Sequence, residues 1–278
     1  MFYLKELSNM NYTNNKYIKT SKVNITTLNK YGKTILDDVY FTAPFKVSPP
    51  FYKEDNSIKV IVMSSSAGIM EGDVQEYNIT VNDNTNIEVT SQSYEKIHKM
   101  GEGDSYRECN IIVGSNSLLK YKPLPTIPFK DSAFNSSMNI TLKDKSSKLI
   151  LLDIISCGRV ACGEKFEYKY YKSYTGVKCS DKLTYIDNTV YNPSILNLND
   201  LGMFEGYTHL SNILICNFED STEKLDLIRD MIQNNDKVDG GATLTQSNDI
   251  SVKILGYTAQ DLINISENIS SLFEENRI

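Results

Sequence analysis

Apolar residues recur at every second position over much of this chain. Val23-Asn24-Ile25-Thr26 and Tyr77-Asn78-Ile79-Thr80-Val81 alternate apolar with polar, the period of a strand with one buried face. Ile58-Lys59-Val60-Ile61-Val62-Met63 is a more buried strand, and Ile87-Glu88-Val89-Thr90-Ser91 alternates again. Further strands are expected at 109–113, 117–121, 138–142, 148–155, 165–171 and 183–187. Turn signals such as Asn82-Asp83-Asn84, Gly114-Ser115-Asn116 and Lys143-Asp144-Lys145 separate them at intervals of roughly ten residues. Strands do not alternate with helices, so a doubly wound α/β fold does not fit.

The pattern changes near the C-terminus. Ile213-Leu214-Ile215-Cys216 reads as a buried strand. Asp220-Ser221-Thr222-Glu223 opens a helix with Leu225, Ile228, Met231 and Ile232 on one face, and Gly240-Gly241 is expected to stop it. Strands at 242–246 and 250–255 follow. Thr258-Ala259-Gln260-Asp261 then caps a last helix with Leu262, Ile265, Ile269 and Leu272 inward. The expectation is a mainly β chain with two α-helices near the C-terminus. Residues 1–20 are polar and Asn-rich, and read as loosely ordered. Residues 21–278 read as one domain, with 193–206 the best linker candidate and no sequence repeat.

Composition narrows the function classes. Among 278 residues, 18 Tyr and 10 Phe with no Trp favour strands over a helical bundle. The formal net charge of −6 removes a global basic footprint for nucleic acid. No apolar run reaches the length of a membrane span, and the first residues turn polar too soon for a signal peptide. Cytoplasmic location is the expectation. The five cysteines, at 109, 157, 162, 179 and 216, match no zinc spacing and read as free thiols.

Enzyme signatures are sparse. His98 and His209 each lack a metal-type companion, and there is no nucleophile elbow, P-loop or dinucleotide fingerprint. Cys157 and Cys162 read as small buried residues before a soft-metal pair. The carboxylates say more. Asp73 follows Gly72 in a turn, Asp153 interrupts the apolar run Leu149–Ile155, and Glu164 follows Gly163. A charge in a buried strand is costly unless paired or wet. Arg159 is a natural partner for Asp153 or Glu164, which makes a structural salt bridge one reading. The other is a polar path that a hard or borderline cation could follow. Thr90-Ser91-Gln92-Ser93-Tyr94-Glu95-Lys96-Ile97-His98 crowds hydroxyls and an amide at a strand end. Lys120–Phe129 is Pro-rich, either a recognition edge or a crossover. A hydrolase using Asp153 and Glu164 and a passive β-rich scaffold stay open as alternatives.

Several blocks, in order, resemble the urease accessory proteins UreD, called UreH in Helicobacter. They are Phe41-Thr42-Ala43-Pro44-Phe45-Lys46 with Pro49-Pro50-Phe51-Tyr52, then Ser66-Ala67-Gly68-Ile69-Met70-Glu71-Gly72-Asp73, then Thr90–His98. Pro125-Thr126-Ile127-Pro128-Phe129, Gly158-Arg159-Val160-Ala161-Cys162-Gly163-Glu164, Asp187-Asn188-Thr189 and Met203–His209 continue the series. One departure is Ala67-Gly68 where many members have Gly-Gly. The resemblance implies a non-enzymatic nickel chaperone that binds UreF directly, UreG within the complex, and apo-urease. It implies no tightly bound cofactor and Ni²⁺ only in transit, through a water-filled internal route. The implied fold has stacked sheets resembling a β-helix, with helices near the C-terminus. Motif position and polarity together nominate Asp73, Ser91, Asp153 and Glu164 to line or flank that route. Gly72, Thr90, Gln92, Arg159 and His209 are nominated as partner-binding or structural positions.

Overall fold

A computed structural model describes residues 20–274. The expectation for residues 1–20 therefore lies outside the described residues, Thr20 excepted. The strands in chain order are β1 (Ser21–Lys30), β2 (Lys33–Phe41), β3 (Phe45–Val47), β4 (Phe51–Tyr52), β5 (Ile58–Ser64), β6 (Val74–Val81), β7 (Asn86–Ser91), β8 (Glu95–Ile97), β9 (Ser105–Val113), β10 (Leu118–Lys122), β11 (Thr126–Pro128), β12 (Ala133–Leu142), β13 (Lys148–Ser156), β14 (Tyr170–Cys179), β15 (Lys182–Tyr191), β16 (His209–Cys216), β17 (Val238–Leu244) and β18 (Ile250–Gly256). A 3-10 turn (Val160–Cys162) and helices α1 (Ser221–Gln233) and α2 (Ala259–Ser271) complete the set.

The strands form two stacked sheets. Sheet A runs β15-β14-β12-β9-β6-β1-β2, and sheet B runs β17-β18-β16-β13-β10-β7-β5-β3 along its main path. Between them the chain coils: β5, β7, β10 and β13 pair in parallel in sheet B, while β6, β9, β12 and β14 pair in parallel in sheet A. Successive strands alternate between sheets, which is the winding of a β-helix. Parallel pairing sets the rungs in register. Ile25, Ile79, Ile111, Ile140 and Val177 form one inward row of sheet A. They face Ile58, Ile87, Leu119 and Leu149 of sheet B within the same core. On the outer face of sheet A, Asn24, Asn78, Asn110 and Asn139 form an amide ladder with 3.1, 3.5 and 3.4 Å steps. Such ladders satisfy side-chain amides along a stack. Antiparallel strands close each end of each sheet: β2 on β1 and β15 on β14 in sheet A, and in sheet B β3 on β5 at one end and β16, β18 and β17 in succession beyond β13 at the other.

The outer face of sheet B is covered by the helices. Ile150, Leu152 and Ile154 of β13 pack with Leu225, Ile228 and Ile232 of α1 and Leu262, Ile265 and Ile269 of α2. Burial on both faces explains why β13 reads as a nearly continuous apolar run. Thr258 caps α2 by accepting from the Asp261 N–H, as its sequence position suggests.

Three expectations change. Gly240 and Gly241 do not stop α1, which ends at Gln233; they lie within β17. A Cβ at Gly240 would stand 2.2 Å from the Lys253 carbonyl oxygen, so the glycine permits close strand pairing. The strand expected at 165–171 begins at Tyr170, because Phe166 takes a positive φ of 55° and turns the chain first. Residues 193–206 form turns without a strand or helix, and Leu198 and Phe204 are buried with Tyr191, Tyr168 and Phe134 at one end of the stack.

Candidate functional site

Two cavities with mixed polar and apolar walls lie between the sheets, of about 90 Å³ and about 40 Å³. Each has room for ordered water. They adjoin, because Leu151, Asp153, Tyr171, Ser173 and Thr175 stand in the walls of both. The wall positions follow from strand alternation. In sheet A, Gln75, Arg107, Ser136, Ser173 and Thr189 form one rung row, and Tyr77, Cys109, Met138, Thr175 and Asp187 the next. In sheet B, Asp153, Asn212 and Lys253 align across β13, β16 and β18. Asp153 shares the inward face of β13 with Leu149 and Leu151, so the charge that breaks the apolar run points between the sheets.

The electrostatics are uneven along these walls. The Asp153 carboxylate has no hydrogen-bond partner among the described residues. Burial pushes its pKa up to about 6; nearby Asp187 adds to the rise, while Arg107 and Lys253 oppose it. Beside it, Asn212 Oδ1 is buried without a hydrogen bond among the described residues. Arg107 donates through Nε and Nη2 to Gln75 Oε1 at 2.9 and 2.6 Å and pairs with Glu95. Its guanidinium lies 5.3 Å from the Tyr77 ring centre and 5.6 Å from that of Phe134. Asp187 is also partly buried, but Lys253 Nζ at 2.7 Å and Thr189 Oγ1 at 2.6 Å outweigh burial and hold its pKa below the usual carboxylate range. Exposed Gln92 and Ser93 stand in the wall of the first cavity, and the Asp187–Lys253 pair marks the partly exposed side of the second.

The structure brings some nominated residues together and separates others. Thr90, Ser91, Gln92 and Asp153 all line the first cavity. Ser91 Oγ accepts from the Leu124 N–H at 2.9 Å, and Thr90 Oγ1 donates to the Lys122 carbonyl at 2.7 Å. Asp73 lies outside both cavities: its Oδ2 accepts from the Met70 N–H at 2.8 Å, closing a turn in which Gly72 has φ of 80°. Glu164 is also elsewhere. It pairs with Arg159, accepts from the Lys130 N–H, and lines a surface cleft with His98 and Phe129. Arg159 stacks over Phe129 at 4.2 Å, so its partner is Glu164 and not Asp153. The two carboxylates a hydrolase would pair thus line different clefts. His209 starts β16, where its Nδ1 lies 2.8 Å from the Thr208 hydroxyl and burial lowers its pKa. Cys157 is buried while Cys162 is exposed. Among the described residues, no three His, Cys, Asp or Glu side chains converge as a metal cluster.

Arg107, Glu95, Asp187 and Asn212 were not nominated from sequence. Alternation held a signal for one of them: Asp187 falls in step with Tyr185, Thr189 and Tyr191, all inward. Arg107 lies in Ser105-Tyr106-Arg107-Glu108-Cys109, whose polar run masks its inward position.

A family model described as UreD urease accessory protein matches residues 19–277. The chain belongs to the UreD family of urease accessory proteins. A urease accessory protein UreH from Helicobacter pylori strain HPAG1 is 33% identical over 262 residues, covering 94% of this chain and 97% of the relative. UreD from Acetivibrio thermocellus is 34% identical over 259 residues, covering 93% and 98%. UreD from Bacillus cereus is 28% identical over 258 residues, covering 92% and 94%. The family match spans every described residue. No helix among the described residues is long and apolar enough to cross a membrane.

Proposed function

We propose that this protein is a non-enzymatic nickel-insertion chaperone. In this reading it binds UreF directly, UreG within the same complex, and apo-urease in the cytoplasm, and it passes Ni²⁺ along the inter-sheet cavities. The observation that carries the reading is the Asp153 carboxylate, which stands in the walls of both adjoining cavities without a hydrogen-bond donor among the described residues, opposite the buried, unpartnered Asn212 Oδ1 in the wall of the second. Buried acceptors facing no donor are costly, and a passing cation with its water shell satisfies them. The surrounding donor set is hydroxyl and carboxylate oxygen from Ser91, Ser173, Thr175 and Asp187. Oxygen ligands bind a borderline cation weakly enough to release it, whereas imidazole or thiolate clusters would hold it. Ser91 and Asp153 then belong to the route itself. Asp73 and Glu164 flank it, fixing the turn at Gly72 and the cleft at Phe129. Thr90, Gln92, Arg159 and His209 shape the surfaces that partners meet. Ni²⁺ is cargo, and no tightly bound cofactor is required.

The test is co-expression of the cognate urease subunits, UreF and UreG with this chain or its Asp153→Asn variant. Urease nickel content and urea hydrolysis are both read. The expected result is a loss of loading of about tenfold or more, on the scale of one lost charge in a low-dielectric site, with partner binding retained in pull-down. Full loading by Asp153→Asn would sink the route.

A further inference from the structure

Glu95 and Asp153 both stand in the wall of the first inter-sheet cavity, with hydroxyls of Thr90, Ser91, Ser173 and Thr175 between and around them. Two carboxylates with hydroxyl and amide oxygens are a hard donor set, and the affinity of such a site for a divalent cation rises with its charge count. Left alone, this wall would hold a divalent ion and not pass it. Arg107 stands in the same wall. Its side chain is only 15% exposed, and it is fixed from several sides: Gln75 accepts two of its hydrogen bonds, Glu95 pairs with it, and Tyr77 and Phe134 flank the guanidinium. A guanidinium keeps its charge at every working pH. It is ion-paired to Glu95 and shares the cavity wall with Asp153, so its charge acts on both acids. A fixed cation inside a path for cations makes that path a shallower well.

We propose that Arg107 is the tuning residue of this cavity: it occupies Glu95 and offsets Asp153, so that the two carboxylates never act together as a chelating pair for Ni²⁺. The proposal rests on the reading that the inter-sheet cavities carry nickel. Arg107 touches no cargo in this role; it sets the depth of the site through Glu95 and Asp153.

The test uses the full chain in complex with its cognate UreF. Equilibrium dialysis against nickel chloride at pH 8 reads retention, and urease activation at limiting nickel reads delivery. Arg107→Gln removes the charge while keeping an amide that can bond Gln75. It should bind Ni²⁺ at least roughly tenfold more tightly than the wild type, the scale of one unscreened charge at short range, and activate urease more slowly. Arg107→Lys keeps the charge and should restore both values toward wild type. Glu95→Gln should move the other way on retention: it leaves the guanidinium charge without its carboxylate and facing Asp153, so nickel binds more weakly while activation again slows. A purely structural role for Arg107 would slow activation with no gain in nickel retention, and that outcome overturns the proposal. If Arg107→Gln does not fold, as judged by its thermal unfolding curve, Glu95→Gln decides: retention equal to or above wild type overturns it. Asp153→Asn, run in parallel, separates the two claims. If it delivers nickel normally, the route reading itself fails; if it blocks delivery while Arg107→Gln retains no extra nickel, only the tuning role falls.

Discussion

Asp153 should make the protein less stable at neutral pH, and the size of the penalty can be worked from its surroundings. Its carboxyl is pushed from 3.8 to about 6 in the folded chain, chiefly by burial. At 1.36 kcal/mol per pH unit, the gap is worth about 3 kcal/mol when the group is ionised in both states. A raised carboxyl pKa means the folded chain holds its proton more tightly than the unfolded chain between those values. Stability from this group therefore falls as pH rises through the window. The linkage relation gives a cost of about 1 kcal/mol at pH 4.5 and about 3 kcal/mol at pH 7.5. Asp153→Asn removes the charge and keeps the shape. Its stability advantage over the wild type should be about 2 kcal/mol larger at pH 7.5 than at pH 4.5, whatever constant offset the amide adds. Urea unfolding followed by far-ultraviolet circular dichroism at the two pH values reads this directly. An advantage that does not change with pH would refute the argument. A stabilised variant that also delivers less nickel would mark Asp153 as a residue kept for function against stability.

Three further outcomes follow from other parts of the molecule. Burial opposes the Glu88 charge, but Lys53 and Lys59 at 2.8 and 2.7 Å hold its pKa down to about 2. Both lysines are more than a third exposed and screened, so Glu88→Gln should cost about 2 kcal/mol at pH 7. Because the folded pKa is depressed, that cost should be present above pH 4.5 and shrink as pH falls toward 2, measurable by denaturant titration. Ile79, 1% exposed in the central rung row, should cost about 2–5 kcal/mol when cut to Ala; Ile112, 52% exposed on the neighbouring strand, should stay within about 0.5 kcal/mol. Thermal unfolding of the two variants separates them. A thiol-specific reagent should label Cys162 in the folded protein and leave Cys109, Cys157, Cys179 and Cys216 unlabelled until denaturant is added, as counted by mass spectrometry.

Alternation made the inward rows readable wherever a strand has one wet face, as at Val23–Thr26 and Tyr77–Val81. The helices were readable because their apolar stripes cover a sheet that is itself apolar outward. The coil was not. Its rungs are held by backbone register, and the sequence distances between stacked residues vary: the asparagine ladder steps by 54, 32 and 29 positions. A repeat search needs a constant period, and the loops between rungs do not supply one. Within the site, Asp153 was legible because it breaks an apolar run. Ser91 and its neighbours were legible as a crowded strand end. Arg107 was hidden, since it lies among other polar residues and gains its meaning only from the strands stacked beside it, whereas Asp187 left a trace in its alternation with Tyr185, Thr189 and Tyr191. Asp73 and Glu164 stand apart from both cavities. Each follows a glycine with positive φ, Gly72 at 80° and Gly163 at 81°, and each serves the local turn or ion pair that such a bend permits.

The antiparallel closures at the two ends of the stack carry a consequence of their own. A pile of parallel rungs presents the same unpaired backbone at its top and bottom, and one molecule could template the next into a fibre. Here the edge strands β2 and β15 in one sheet, and β3 and β17 in the other, run against the grain of the pile. A second copy arriving in the coil's own direction meets a reversed neighbour. On β2 it also meets Lys33, Asp37 and Asp38, charges that discourage edge pairing. The coil is thereby given a fixed height. A protein whose interior resembles the repeating core of a fibril is kept a discrete particle by its last strand at either end.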